Sequence, residues 1–489
     1  MTLVLQHRPE PGQRSGPAGR AVLDAPSRAA PASAVAADPV NGRRGASRLD
    51  PRVRVGRRAR LLVLAVLVVI LGAITWHVAV KVSRMSWEHP AAIYTVIVTT
   101  YVLSRFVFAA FYRPPREVEY TPTVAIVVPA FNEGEAVVRT IDACLALDYP
   151  RELVEVVVVD DGSTDDTWPR MQAAAASYPP GAVRCLTLGT NQGKRAAMAE
   201  GIRHTTAEVL VFVDSDSVPG ADAVRLLVQG LADPAVGAVA GLTYARNIED
   251  NLLTQMQGAR YYVSYQLLKA AESTLGAVAC CSGCFAAYRR EAVLPVLQRW
   301  EQQTWFGMEC TYGDDRSLTN MLLRTGWRTI FDNRAEAWTD VPTTYRKFFK
   351  QQLRWKKSWI REGPLLLAHL WRTRTRAFLP ALMATAAGLL SPVVLISSLR
   401  GLVVPGLPLP VVYFLGLYLM ATAYALTYRL LRGDGHWVAA FVGTVFYIVF
   451  SPQLLWAMIR IRDGSWGTRA AAQAAPVPAP SSPSDGARK

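Results

Sequence analysis

Cysteine is scarce in this chain of 489 residues, with only six, and their distribution excludes more than it offers. They stand at 144, 185, 280, 281, 284 and 310, inside the stretch read below as cytosolic, where reducing conditions disfavour structural disulfides. Cys281 and Cys284 have CxxC spacing, but no second pair or histidine cluster completes a tetrahedral zinc site. Buried thiols are the reading that remains. Acidic residues are also few, 38 Asp and Glu against 53 Lys and Arg, for a net charge of +15. Nucleic acid does not follow as a partner, because the basic residues gather in the first 60 positions and beside the apolar runs. The middle of the chain, about 115–345, lacks any long apolar run and carries ordinary charge, as a soluble domain does.

Apolar residues are abundant elsewhere: 51% of the chain is hydrophobic and the mean hydropathy is +0.16, high for a purely soluble protein. Leu61–Val80 and Ala91–Phe111 each reach the roughly 20 residues that cross a bilayer. Further apolar stretches lie near Phe378–Leu399, Pro410–Leu430 and Val438–Ile459. Arg52, Arg54, Arg57, Arg58 and Arg60 precede the first run, so the positive-inside rule keeps the N-terminus cytosolic, and two spans return the chain to that side. A signal peptide is the weaker reading, since the run is too long and no small-residue cleavage site follows. Arg105, near the end of the second run, is expected to snorkel toward cytosolic headgroups.

The expected division is a disordered basic tail over 1–59, two transmembrane helices over 60–112, a cytosolic domain over 115–343, amphipathic interface helices over 344–372, a C-terminal membrane block over 377–460, and a tail over 461–489. The tails are rich in Ala, Pro, Arg and Ser without periodicity and bury too little apolar surface to fold. Thr344–Trp371 mixes aromatics, Lys and Arg at helical spacing, as helices at a membrane surface do. Three clear C-terminal spans would leave the chain end outside the cell, so a re-entrant segment or a fourth span is expected within 400–431.

Within the soluble domain, the β-branched runs Val124–Val128, Val154–Val159, Val209–Val213 and Gly237–Val239 alternate with helix-like segments. This pattern predicts an α/β, mostly parallel sheet buried on both faces. Ligands of such sheets bind at the carboxyl ends of the strands. The polar clusters fall at those ends: Pro129-Ala-Phe-Asn-Glu133, Asp160-Asp-Gly-Ser163 and Asp214-Ser-Asp216.

Asp214 and Asp216, two apart, point the same way and repel unless a cation stands between them. A hard divalent ion, Mg²⁺ or Mn²⁺, held by one or two carboxylates plus substrate phosphates, resolves the conflict, although a D-x-D triplet alone is equally a solvated turn. Asp160 and Asp161 close a strand too apolar to be exposed and can accept hydrogen bonds from a base or ribose, or support a turn capped by Ser163. Asn191-Gln-Gly-Lys194-Arg195 offers cations for a diphosphate or base edge, or is an exposed basic turn. Gly313-Asp314-Asp315-Arg316 opens a helix, where Asp315 is either a general base or a favourable charge at the helix N-terminus. Gln351-Gln-Leu-Arg354-Trp355 joins a phosphate-gripping guanidinium to an indole able to stack on a sugar.

Taken in order, Asp160-Asp161, Asp214-x-Asp216, Asp315 and Gln351-x-x-Arg354-Trp355 resemble the pattern of processive family-2 glycosyltransferases, which include cellulose, chitin and hyaluronan synthases. The resemblance spans about Thr121–Arg361. Val213-Asp-Ser-Asp-Ser217, Ala245-Arg-Asn247, Cys281-Ser-Gly283, Tyr288-Arg-Arg-Glu291, Tyr312-Gly-Asp-Asp-Arg316, Gln351–Glu362 and Trp466-Gly-Thr-Arg469 are similar to hyaluronan synthases in particular. The resemblance implies a GT-A fold inserted between transmembrane helices, with a C-terminal membrane block as the polymer's exit. It implies a metal on Asp216, uridine framed by Asp160, Asp161 and Lys194, and Asp315 as catalytic base. It further implies that Asp214, Gln351, Arg354 and Trp355 bind substrate, Arg354 facing the departing UDP and Trp355 the acceptor sugar. The expected product is hyaluronan, made from UDP-GlcNAc and UDP-GlcA and extruded across the plasma membrane. Ser282-Gly-Cys-Phe285 departs from the usual Ser-Gly-Pro-Leu and resembles chitooligosaccharide synthases, making a UDP-GlcNAc-only polymer the runner-up. A transporter would need more polar residues in its spans. A transferase acting on a lipid carrier generally lacks Gln-x-x-Arg-Trp.

Overall fold

The computed structural model describes residues 57–84, 90–404 and 411–463. The tail to residue 56 and the Trp466-Gly-Thr-Arg469 motif lie outside the described residues. Ten strands follow in chain order: β1 (Val124–Ala130), β2 (Val154–Asp160), β3 (Val183–Thr187), β4 (Val209–Val213), β5 (Val218–Pro219), β6 (Val236–Ala245), β7 (Phe285–Arg289), β8 (Thr304–Trp305), β9 (Met308–Glu309) and β10 (Arg328–Thr339). Eight of them form one sheet in the order β3-β2-β1-β4-β7-β6-β10-β5, while β8 and β9 pair separately. β1 runs parallel to both β2 and β4, β2 to β3, and β6 to β10. β7 enters antiparallel between β4 and β6.

The central strand shows why the Val-rich runs lack an alternating pattern. Every residue of β1 is buried. Val124, Ile126 and Val128 join one core with Val137, Ile141 and Leu227, while Ala125 and Val127 face a second core with Met198, Ile202 and Tyr288. A strand covered on both faces needs apolar side chains at odd and even positions alike. Each fully buried Val or Ile contributes about 1.5–3 kcal/mol relative to exposure. With helices on both faces, the place such a sheet offers a ligand is the row of loops beyond the carboxyl ends of β1, β2 and β4, where strand order reverses.

Outside the sheet, three helical stretches among the described residues are long and apolar enough to cross a membrane: Ile93–Ala110, Thr375–Arg400 and Tyr413–Leu431. A fourth candidate is the pair Trp437–Val449 and Gln453–Ile459, bent by 44°. The first expected span is a helix over Arg57–Arg84, of which Leu61–Trp76 is the apolar part. Arg105 differs from expectation. It is 2% exposed, and its guanidinium lies over the rings of Tyr101 (5.0 Å) and Phe108 (5.8 Å), turned into the protein instead of toward headgroups.

The amphipathic segment forms one helix, Tyr345–Thr373, whose buried face includes Gln352, Lys357, Ser358, Arg361 and Glu362. Those groups bind the domain that carries the sheet: Arg361 donates to the Tyr312 carbonyl (2.8 Å), and Gln303 donates to Glu362 (2.9 Å). The end of the chain returns to the same place, with the Tyr312 hydroxyl donating to the Ile461 carbonyl (3.1 Å) and Lys357 to that of Asp463 (2.6 Å). The break at 449–453 lies further along the chain than 400–431, where the sequence placed a re-entrant segment or fourth span; among the described residues that stretch holds one complete helix, Val411–Leu431.

Candidate active site

The segments after β3 and β4 and the start of the helix Asp314–Arg324 meet around Gly283. A methyl group placed on Gly283 would lie 3.3 Å from Lys194 Nζ, 3.4 Å from Asp214 Oδ1 and 3.9 Å from Asp315 Cβ. Groups separated by more than a hundred positions thus share one small space. Lys194 and Asp214 form an ion pair there. Burial alone would depress the Lys194 ammonium, but Asp214 reverses the effect and holds it above its ordinary range. Asp216 accepts from Ser217 Oγ (3.3 Å) and from Thr339 Oγ1 (3.1 Å) at the end of β10. Burial, and then the negative charge of Asp214, push the Asp216 carboxyl up to about 6. Lys194 offsets this only in part, being paired with Asp214, and a divalent cation fits the remaining excess of negative charge.

Asp160 and Asp161 shape the neighbouring wall. Asp160 accepts from the Ser163 amide (3.2 Å) and from Thr187 Oγ1 (3.2 Å), so it closes the turn after β2. Asp161 accepts from the amides of Gln192 (2.7 Å) and Gly193 (3.0 Å), fastening the loop that delivers Lys194. Gly162 makes this possible. At φ 68° it occupies the left-handed region, and a Cβ there would sit 2.4 Å from the Thr190 carbonyl carbon.

Asp314 and Asp315 divide their tasks. Asp314 is buried and accepts from Arg195 Nε (3.0 Å), whose guanidinium lies over Trp300. Asp315, partly buried, stands in the first turn of the helix, its Oδ1 accepting from the Arg316 amide (2.7 Å) and its Oδ2 from Cys280 Sγ (3.3 Å). The Arg195–Asp314 pair is 6% and 7% exposed, so removing one partner strands a buried charge. Arg195→Met is expected to cost about 3–5 kcal/mol of stability. A clear fall in the thermal midpoint of the purified protein checks this, and an unchanged midpoint contradicts it.

Trp355, 43% exposed on the helix Tyr345–Thr373, stands 6.2 Å from the ring of Tyr261. Burial, and then repulsion from nearby groups of which Cys284 is the first and Asp216 the last, hold the Tyr261 phenol well above its ordinary range. Gln351 and Arg354 ride on the same helix. Gln351 Oε1 is buried without a hydrogen-bond partner among the described residues.

A family model described as glycosyltransferase like family 2 matches residues 122–358. An N-acetylglucosaminyltransferase of Azorhizobium caulinodans is 32% identical over 352 residues, 71% of this chain and 88% of its own. The chain belongs to the family-2 glycosyltransferases. Hyaluronan synthase of Streptococcus pyogenes is similarly close, 30% identical over 77% of this chain and 90% of its own. Among solved structures, a mannosyltransferase of Pyrobaculum calidifontis, in complex with GDP-Man and Mn²⁺, superposes with a TM-score of 0.54 at 23% identity, covering 76% of this chain and 98% of that one. That likeness establishes the GT-A fold.

Sequence reasoning missed part of this glycosyltransferase site. Cys284 and Cys280 are free thiols, as expected; what the sequence did not show is their acidic company, Asp214 and Asp216 adding to burial in pushing Cys284 far above the usual thiol range, and Cys280 touching Asp315. Their position in one short loop with Ser282 and Gly283 was the available signal. Tyr261 and Thr339 carried none, because their approach depends on how distant elements pack.

Proposed function

We propose that the chain is a processive, inverting glycosyltransferase of the plasma membrane that polymerises UDP-GlcNAc and UDP-GlcA into hyaluronan. The observation that carries this reading is the meeting of Lys194, Asp214 and Asp315 around Gly283, in a chain similar to a hyaluronan synthase over 77% of its length. Asp160, Asp161 and Lys194 would frame the uridine, and Asp214 and Asp216 the diphosphate. The donor set of Asp216, with Asp214 beside it, suits Mg²⁺ or Mn²⁺, and the mannosyltransferase complex contains Mn²⁺. When bound, such an ion neutralises charge on the departing diphosphate.

The remaining chemistry belongs to the protein. Asp315 takes the proton of the acceptor hydroxyl, whose oxygen bonds to the anomeric carbon as the bond to UDP breaks on the opposite face, so an α-linked donor yields a β-linkage. Arg354 stabilises charge that grows on the leaving UDP, and Trp355 presents a ring on which the acceptor sugar stacks.

Extrusion has its own support. Arg105 Nε and Nη2 and the Tyr447 hydroxyl are buried without hydrogen-bond partners among the described residues, as is Gln351 Oε1. Arg260 lies over the Tyr447 ring at 5.3 Å. Unsatisfied buried polar groups each cost about 1–3 kcal/mol; a passing sugar's oxygens would accept from Arg105 and Tyr447, and its hydroxyls would donate to Gln351 Oε1. This supports cytosolic catalysis with the polymer leaving between the apolar helices.

A second reading, a chitooligosaccharide synthase using UDP-GlcNAc alone, is favoured by Cys284 beside the acidic cluster and by identity to N-acetylglucosaminyltransferases of Azorhizobium caulinodans and Rhizobium meliloti, 32% and 36%. Supplying membranes with each donor singly and together separates the two. Polymer that requires both donors and is cleaved by hyaluronidase supports the first reading. Chitinase-sensitive product from UDP-GlcNAc alone contradicts it and supports the second.

A further inference from the structure

We propose that Cys280 is a positioning residue for the transfer reaction: its thiol donates to Asp315 Oδ2 and fixes the carboxylate in the orientation that receives the acceptor proton. This rests on the reading of Asp315 as base.

The two oxygens of Asp315 have different partners. Oδ1 accepts from the backbone amide of Arg316 (2.7 Å), a bond any residue at that position supplies. Oδ2 accepts from Cys280 Sγ at 3.3 Å, the only side-chain hydrogen bond to this carboxylate among those seen in the described residues. Without the second contact the carboxylate turns about its own Cα–Cβ and Cβ–Cγ bonds, and the time spent facing the acceptor falls.

The loop that carries Cys280 is built so that the thiol cannot drift. Ala279 donates its amide to Glu272 Oε2 (3.1 Å). Cys281 donates its amide to Thr319 Oγ1 (3.0 Å), and Thr319 in turn donates to the Asp315 carbonyl (2.7 Å). Tyr288 closes the far side with a bond to the Cys281 carbonyl (3.0 Å), and Lys269 and Tyr265 hold Ser282 at 2.8 and 2.7 Å. The loop and the base are therefore one hydrogen-bonded unit, joined both through backbone and through the Cys280–Asp315 contact.

The charged and titratable groups that act on the thiol are Asp315, Arg316 and Lys269, with the Tyr288 phenol also within its influence. Burial, and then the negative charge of Asp315, push the Cys280 thiol far above its ordinary range, against the opposing pull of Arg316 and Lys269. It stays protonated at neutral pH and remains a donor. During transfer it keeps its proton, since the acceptor's proton moves to Asp315 and no bond to sulfur forms or breaks.

Cys280→Ala removes the donor and Cys280→Ser retains one of similar size. Steady-state kinetics with saturating acceptor should show kcat lowered about tenfold in the alanine variant, as expected for one hydrogen bond to a charged group. Donor KM and calorimetric UDP affinity should stay within about twofold of the unaltered enzyme, because the contact lies on the acceptor side of the site. Serine should restore kcat to within about threefold. An alanine variant with unaltered kcat overturns the proposal, and so does a serine variant as slow as alanine while UDP binding is normal. Asp315→Asn, measured alongside, separates the two levels: near-normal turnover there removes the base itself, whereas loss there with an active Cys280→Ala removes only the positioning role.

Discussion

Asp315→Asn is expected to lower glycosyl transfer by about 10³-fold while UDP still binds, the size of effect that removal of a positioned general base produces. The carboxamide has the shape of the carboxylate, and its oxygen can still accept from Arg316 or Cys280, so the helix start and the loop stay in place. What it cannot do is take a proton. Asp314, one residue earlier, offers no substitute, because it is buried and committed to Arg195. UDP release with both donors present measures the rate, and calorimetry with UDP measures the intact donor site. Turnover within about threefold of the unaltered enzyme would remove Asp315 from the mechanism.

A loss of about 10²–10³-fold is expected for Asp216→Asn, in line with removal of one preorganised group that stabilises charge on a leaving diphosphate. The amide oxygen keeps the bonds from Ser217 and Thr339, so the β4 and β10 ends remain joined, but half of the negative pair with Asp214 disappears. Mn²⁺ titration should then show weakened binding, with retained activity at saturating metal as the contrary result. Acidity has a related effect on the unaltered protein. Burial and Asp214 raise the Asp216 carboxyl to about 6, so protons occupy it as the pH falls through that value. Metal affinity should be flat above about 6 and weaken below it, by up to about tenfold per pH unit where a single proton competes.

How much of this was legible in the sequence follows from the physics of each element. β1, β2 and β4 were visible because strands buried on both faces leave unbroken Val-rich runs. β7 reads Phe-Ala-Ala-Tyr-Arg and has no β-branched residue, and its antiparallel entry between β4 and β6 is a property of topology. β3 at the sheet edge is half-exposed and carries Arg184, so its periodicity is weak. β10 is long but irregular, with register shifts that break its alternation.

The acidic clusters were legible for a similar reason, since carboxylates have no cause to follow a buried strand unless the strand ends at a polar cavity. Their partners were not. Lys194 was read as a ligand for diphosphate or base, and the structure adds an ion pair with Asp214 that the sequence did not show. Arg105 was assigned to headgroups because a lone cation in an apolar helix ordinarily escapes the bilayer, whereas the aromatic rings of Tyr101 and Phe108 hold it within the protein. The Lys194–Asp214 pairing joins two separate elements and has no local signal, whereas Tyr101 and Phe108 stand one helical turn to either side of Arg105, so that contact was open to a reading of helical spacing.

The claim on which everything else depends is that the loops after β2 and β4, the Asp315 helix and Trp355 surround one nucleotide-sugar. A cryo-electron microscopy structure of the protein with UDP and Mn²⁺ tests it most directly. The account predicts the uracil against the Asp160–Asp161 turn and Lys194, the metal about 2.1–2.2 Å from an Asp216 oxygen, and Asp315 and Trp355 facing the open side of the diphosphate. Density for UDP elsewhere on the domain, or a metal held without Asp216, would contradict it.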